Sequence, residues 1–170
     1  MNPMLILQGT PVWVYALFVV LAWLGARRLK AQTLPLARVW AVPAIFVIWG
    51  LAGLLGHRAE PAHTLAYWPL GAAVGALLGA WLTVPLQFDR GRRLVRQPGS
   101  VAPLLRNLGL FGAHYVLQVA MAVKPQWRDA LLGWDLAVSG FSVGYFAAWS
   151  LRFVQGLRRA PDTDLLATAS

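Results

Sequence analysis

Three long blocks of the chain carry no Lys, Arg, Asp or Glu, and this constrains the fold more than any other feature. The blocks cover residues 1–26, 39–56 and 61–88. A helix that crosses the hydrocarbon core of a bilayer needs about 17–25 mostly apolar residues. Each block is long enough for such a helix. Two further apolar stretches, residues 107–123 and 130–151, reach the same length with a few polar side chains.

The sequence therefore predicts an all-α integral membrane protein with five transmembrane helices. The helices are predicted at about residues 12–26, 39–56, 64–86, 107–123 and 130–151. They form one domain over residues 1–155, and a disordered cytoplasmic tail is predicted for residues 156–170. The first block has no basic segment before it, so it is interpreted as an uncleaved first helix and not as a signal peptide.

Positive charge is divided unevenly between the predicted loops. Short loops rich in Lys and Arg stay on the cytoplasmic side of a membrane. Alternate loops and the tail hold twelve of the fifteen basic residues, which predicts an N-terminus outside and a C-terminus inside. The twelve are Arg27, Arg28, Lys30, Arg38, Arg90, Arg92, Arg93, Arg96, Arg106, Arg152, Arg158 and Arg159, and the opposite side has Arg58, Lys124 and Arg128.

The net charge of +9 would suggest a nucleic-acid partner in a soluble protein. Here the charge lies in predicted membrane loops, so we predict no nucleic-acid partner and expect the basic residues to contact the bilayer instead. Each Lys or Arg near an anionic leaflet contributes about 1 kcal/mol of attraction. Arg27, Arg28, Arg92 and Arg93 are predicted to face anionic lipid headgroups from the cytoplasmic loops.

A basic motif occurs twice in these loops, as RRLKAQTLPLAR from residue 27 and as RRLVRQPGSVAPLLR from residue 92. One interpretation is that RRL places cations at the end of a helix, where the macrodipole favours them, and that the proline helps to start the next helix. The alternative is duplication of a helix hairpin. The first interpretation is favoured, because the predicted second and fourth helices share little sequence similarity beyond the motif.

Glycines repeat at four-residue spacing in two predicted helices. The third helix has Gly71, Gly75 and Gly79, and the fifth has Gly140 and Gly144. Glycine allows close approach of two backbones, which drives helix association in lipid. The pattern predicts packing of these helices within the chain. The alternatives are a homodimer seam or a contact with another membrane protein.

The fourth and fifth helices carry the most informative polar side chains. His114 and Gln118 lie one turn apart, and so do Asp135 and Ser139. The connecting turn, KPQWR, is short, so the two helices are antiparallel neighbours. Pairing residues by their distance from this turn predicts that Gln118 meets Asp135 and that His114 meets Ser139. These four residues form a candidate polar site inside the membrane. The alternative is that Asp135 caps its helix or lies at the membrane interface, and that His114 is a hydrogen-bond partner between helices.

No motif for catalysis or phosphate binding occurs, and the chain has no cysteine. We therefore predict no enzyme activity, no metal site and no cofactor, and we interpret the loop with His57, Glu60 and His63 as a solvated turn. The favoured function is an accessory or structural protein that works by helix packing. One alternative is a small transporter or channel-like protein with a polar path between the fourth and fifth helices. Another is a haem- or quinone-binding accessory of redox or cytochrome assembly that uses His114.

Several segments carry a family resemblance over most of residues 5–155. They include TPVWVYALFVVLAWLGARRL, the loop DRGRRLVRQPGS with the following PLLRN, FGAHYVLQVAMAV and LAVSGFSVGYFAAWSLRF. Together they resemble a family of small, uncharacterised proteins of the bacterial inner membrane, and more distantly proteins of the CcdC type, which are associated with cytochrome c biogenesis. The resemblance implies a multi-pass helical protein of the bacterial inner membrane and implies no activity or site residue.

Overall fold

The structure, a computed structural model, describes residues 12–82 and 86–165. Most of this part of the chain lies in five long helices. They are α1 (Val12–Arg27), α2 (Ala41–Gly56), α3 (Tyr67–Trp81), α4 (Ala102–Val123) and α5 (Arg128–Arg159). Single helical turns at Leu36–Val39 and Ala62–Leu65 precede α2 and α3, and a 3-10 turn at Pro125–Trp127 joins α4 to α5. The prediction of a mostly helical chain is confirmed.

Three helical segments are long and apolar enough to cross a membrane. They are Leu36–Gly56, Ala62–Trp81 and Pro125–Arg159. They contain α2, α3 and α5, so they coincide with three of the five predicted spans. The other two predicted spans correspond to α1 and α4 and stay predictions.

Helix α5 lies at the centre of the described bundle and packs most extensively against α3. Near the middle of α5, Tyr145 and Phe146 form a buried cluster with Phe46 of α2 and Leu110 of α4. The rings of Phe46 and Phe146 stack with centroids 4.9 Å apart. These contacts place α2 and α4 against the same central helix.

A small antiparallel sheet, which the sequence pattern does not predict, lies at one end of the bundle. Strands β1 (Gln32–Pro35), β2 (Gln87–Asp89) and β3 (Leu94–Gln97) are arranged in the order β1-β3-β2. Gln32 pairs with Gln97 and Leu34 with Val95, so the two copies of the basic motif pair with each other. Leu34 and Val95 are buried, and Val95 packs against Val39 and Phe153.

The two copies nevertheless adopt different local structures. In the first copy, Arg27 ends α1, as predicted. In the second copy, Arg92 and Arg93 close the hairpin between β2 and β3, and Arg93 has a positive φ of 55°. The predicted third helix over residues 64–86 ends instead at Trp81 and is followed by this hairpin, so the second RRL does not end a helix.

The predicted disordered tail differs from the structure over its first ten residues, 156–165. Helix α5 continues beyond the predicted end at residue 151 to Arg159. Asp162 then pairs with Phe88 in a parallel bridge and accepts a 2.8 Å hydrogen bond from the backbone N–H of Arg90. Leu165 is only 2% exposed. Apolar and polar contacts with the hairpin therefore hold this segment, and residues 166–170 lie outside the described part.

Candidate functional site

The most distinctive polar cluster joins α4 to α5. His114 Nδ1 forms a 2.8 Å hydrogen bond with Asp135 Oδ1, and Gln118 Nε2 donates to Asp135 Oδ2 at 3.0 Å. The side chain of Asp135 is 9% exposed and that of His114 is 13% exposed. Both carboxylate oxygens of this nearly buried side chain therefore have a partner. The Gln118–Asp135 contact is the one that the hairpin register predicts.

The predicted contact between His114 and Ser139 is replaced by two other contacts. His114 joins Gln118 on Asp135, whereas Ser139 Oγ donates to the backbone oxygen of Gly50 at 2.9 Å. Ser139 turns towards α2 because Gly50 has no side chain, which lets the backbone of α2 approach α5. Of the four predicted site residues, the structure brings together His114, Gln118 and Asp135, and it separates Ser139 from them.

Trp49 of α2 completes the surroundings of His114. The two ring centroids lie 4.9 Å apart with an interplanar angle of 43°. One sequence feature indicates an internal role for this ring. Trp49 lies deep within an apolar block, whereas tryptophans at a membrane interface lie near the ends of the spans. The sequence alone does not say which residue of α4 the indole ring meets.

The cluster joins an imidazole to a carboxylate by a hydrogen bond, but no polar route continues from it through the described bundle. Ser142 Oγ is buried and donates to the backbone oxygen of Ser139 at 2.9 Å. Along α4, the buried side chains of Leu110 and Phe111 lie between His114 and the next polar side chain, Asn107. The polar side chains on α5 therefore bond locally and do not form a chain across the bundle.

The predicted glycines lie where α3 and α5 touch. Side chains at Gly71, Gly75 and Gly79 would collide with backbone atoms of α5 at Ala137, Phe141 and Tyr145. Reciprocally, side chains at Gly140 and Gly144 would collide with backbone atoms of Trp68 and Ala72 on α3. All five glycines thus permit one close helix contact within the chain, as the favoured interpretation of their spacing expects.

The four arginines predicted to face lipid lie in different environments. Arg27 and Arg93 are exposed, and the Arg27 guanidinium lies 4.8 Å from the ring centroid of Trp23. Arg28 is half-buried and donates through Nη1 to Gln97 Oε1 at 3.1 Å. Arg92 forms ion pairs with the carboxylates of two residues, Asp89 at 3.1 Å and Asp164 at 2.6 Å. The backbone N–H and side chain of Arg92 lower the pKa of Asp89 below its usual value.

Comparison with known proteins identifies a family but no activity. No curated protein and no solved structure shows significant similarity to the chain. The distant resemblance to CcdC-type proteins therefore stays a prediction. A model of a family of unknown function, DUF6622, matches residues 2–163. The match covers nearly the whole chain, and the chain belongs to this family.

Proposed function

We propose that the chain is a multi-pass protein of the bacterial inner membrane that acts as an accessory or structural helix-packing protein. The observation that carries the proposal is that the polar side chains between α4 and α5 bond within the protein. Asp135 binds His114 and Gln118, and Ser139 bonds to the backbone of α2. Such a cluster suits a membrane interior, where an unpaired polar group costs several kcal/mol. These hydrogen bonds hold α4 and α5 together and tie α5 to α2.

The exposed surface of α2 supports the membrane assignment. Ile45, Ile48 and Leu55 are 63%, 67% and 66% exposed. A soluble monomer rarely leaves such large apolar side chains in one contiguous exposed patch, whereas lipid tails solvate them. The surface therefore agrees with a span that faces lipid.

The position of the basic segments supports five spans with an external N-terminus. The first basic loop pairs with the second through β1 and β3, and the C-terminal segment bonds to the hairpin of the second loop. These are the three segments that the charge distribution assigns to the cytoplasm. In a five-span arrangement they meet on one side of the membrane without crossing it.

Single-cysteine labelling tests this topology, because the natural chain has no cysteine. Arg58→Cys and Gln126→Cys lie in the predicted external loops, and Arg93→Cys lies in the cytoplasmic hairpin; all three positions are exposed. A membrane-impermeant maleimide on intact cells is expected to label the first two variants only. Arg93→Cys is expected to react after permeabilisation. Labelling of Arg93→Cys in intact cells at the same rate would contradict the topology.

A small transporter is the second candidate, and the 2.8 Å contact between His114 and Asp135 favours it. A buried imidazole and carboxylate that share a proton are typical of proton relays in membranes. The buried Leu110 and Phe111 beyond the pair argue against a continuous path in one chain. An accessory role therefore remains the better supported proposal.

Proton flux into liposomes separates the two candidates. The protein is reconstituted, a potassium diffusion potential is set with valinomycin, and internal pH is followed with pyranine. The accessory role predicts proton uptake equal to that of protein-free liposomes. Uptake that is lost in Asp135→Asn but kept in Asp129→Asn would instead establish transport through the polar cluster. Asp129 is a matched control, since its side chain is 98% exposed at the start of the same helix.

A further inference from the structure

A cavity of about 190 Å³ lies between the sheet and the helices at the basic end of the bundle. Arg28, from the loop after α1, and Arg106, from the first turns of α4, line it together. The rest of its wall includes apolar side chains, among them Val42, Pro43 and Trp149. The cavity thus combines two guanidinium groups with an apolar surface.

Neutral groups hold both arginines in place. Arg28 Nη1 donates to Gln97 Oε1 at 3.1 Å. Arg106 Nε donates to Asn107 Oδ1 at 3.1 Å, and its Nη1 donates to the Tyr145 hydroxyl at 3.3 Å. The Arg106 guanidinium also lies 4.6 Å from the ring centroid of Phe146. These partners fix the direction of the two side chains without neutralising their charge.

The Asp and Glu carboxylates are engaged elsewhere, and all six of these residues lie in the described part. Among described residues, no ion pair joins any of them to Arg28 or Arg106. The six bond to other groups: Glu60 and Asp129 to Arg128, Asp89 and Asp164 to Arg92, Asp135 to His114, and Asp162 to the Arg90 backbone. Within the described part of the chain, the cavity wall therefore carries two positive charges without a counter-charge.

The two charges disfavour each other in this setting. Burial, and secondly the charge of Arg106, lower the pKa of Arg28 below its usual value. The first residues of α4, Ala102 and Pro103, also line the cavity, and the start of a long helix adds a further positive potential. A bound anion would offset the burial of the charges, their mutual repulsion and the helix potential together, because an opposite charge nearby favours the charged form of each arginine.

We propose that this cavity binds the phosphate headgroup of an anionic amphiphile, with Arg28 and Arg106 on the phosphate and the adjoining carbons against Val42, Pro43 and Trp149. The guanidinium fork matches phosphate oxygens in geometry. A phosphomonoester carries about −1.5 to −2 charges at neutral pH, which matches two arginines. The cavity is smaller than the roughly 300–1,000 Å³ of sites for drug-sized ligands, so it suits a headgroup and not a whole lipid.

A lipid source is favoured over a soluble phosphate by the position of the cavity. It lies where α1 ends and α4 begins, beside the basic sheet. In the proposed topology this is the level of the cytoplasmic headgroups, so the choice of source rests on the proposed function. Cysteine labelling tests the topology and ligand titration tests the cavity, so the two can fail separately.

Titration of the whole protein in an uncharged detergent tests the proposal. Tryptophan fluorescence reports on the cavity, since Trp149 lines it. The probes are dihexanoyl phosphatidic acid, dihexanoyl phosphatidylcholine and inorganic phosphate. The phosphatidic acid is expected to bind at least about tenfold more tightly than either of the other two. Equal binding of inorganic phosphate would overturn the lipid source, and no saturable binding of any probe would overturn the site.

Variants of the two arginines identify the site that binds. Arg28→Gln and Arg106→Gln are each expected to weaken phosphatidic acid binding by about tenfold or more, because each removes a hydrogen-bond donor with a full charge. Arg38→Gln removes the same charge from an exposed position after β1, outside the cavity wall, and is expected to leave binding unchanged. An equal loss in Arg38→Gln would show diffuse surface attraction and overturn the proposal. If Arg106→Gln fails to fold, a loss of binding in Arg28→Gln that Arg28→Lys and Arg38→Gln do not share identifies the site, and equal binding by all three variants overturns it.

Discussion

Replacing Gly75 with leucine is expected to remove most of the folded protein. Gly75 is buried in α3 and faces the backbone of Phe141 on α5. Any β-carbon at this position collides with main-chain atoms, which cannot rotate away as a side chain can. The two helices would have to separate along their whole contact. Overpacking normally costs about 1–3 kcal/mol, and this backbone clash is expected to exceed that range.

The measurement is thermal unfolding in detergent followed by tryptophan fluorescence, together with the yield of monodisperse protein. Gly109→Leu is the matched control, because nothing in the described part lies within 4 Å of a β-carbon built at Gly109. Leucine also favours a helix interior over glycine by nearly 1 kcal/mol. Gly109→Leu is therefore expected to be as stable as the natural chain or more stable. Equal losses in the two variants would mean that the close contact of α3 and α5 is not what makes glycine necessary at position 75.

The helices and the glycine contact could be predicted from sequence because their signals are local. Long uncharged blocks mark α2 and α3, and the four-residue spacing places Gly71, Gly75 and Gly79 on one face. The contact between Gln118 and Asp135 was predictable for a related reason. Two antiparallel helices joined by a short turn rise by the same 1.5 Å per residue, so equal distances from the turn bring residues to the same level.

Equal distance from the turn does not predict the contact of Ser139, because the level of a residue along its helix does not determine which neighbouring helix its side chain faces. Successive positions on a helix rotate by about 100°, so Asp135 and Ser139 differ in direction by about 40°. That difference is enough to turn Ser139 from α4 to Gly50 of α2. The choice depends on where a third helix packs, and no pattern within α4 or α5 records that position.

The sheet could not be predicted because its strands are short and distant in sequence. β1 and β3 have four residues each and β2 has three. The basic residues around them dominate the sequence pattern and indicate a membrane loop. The structural signal is a few apolar side chains between the charges: Leu34, Phe88 and Val95 are buried. Phe88 and Val95 pack with Val39 and Phe153, which is a tertiary contact that only the folded chain reveals.

Asp135→Ala is expected to be the second most damaging of these changes. It would leave His114 and Gln118 without their shared acceptor in a site that is largely closed. An unsatisfied buried polar group costs about 1–3 kcal/mol. For a chain of this size, each kcal/mol lowers the melting temperature by about 2–4 °C. The measurement is the melting temperature in detergent, with Asp129→Ala as the control at a 98% exposed carboxylate on the same helix.

Asp135→Asn separates hydrogen bonding from charge at this site. Asparagine has the shape of aspartate, and its amide can accept from Gln118 and donate to an unprotonated His114 Nδ1. If the cluster holds α4 to α5 by hydrogen bonds, Asp135→Asn should recover most of the stability that Asp135→Ala loses. If the two variants melt at the same reduced temperature, the negative charge of Asp135 is what His114 requires. The pair would then be an ion pair with a transferable proton, which would add to the support that the 2.8 Å contact gives the transport hypothesis.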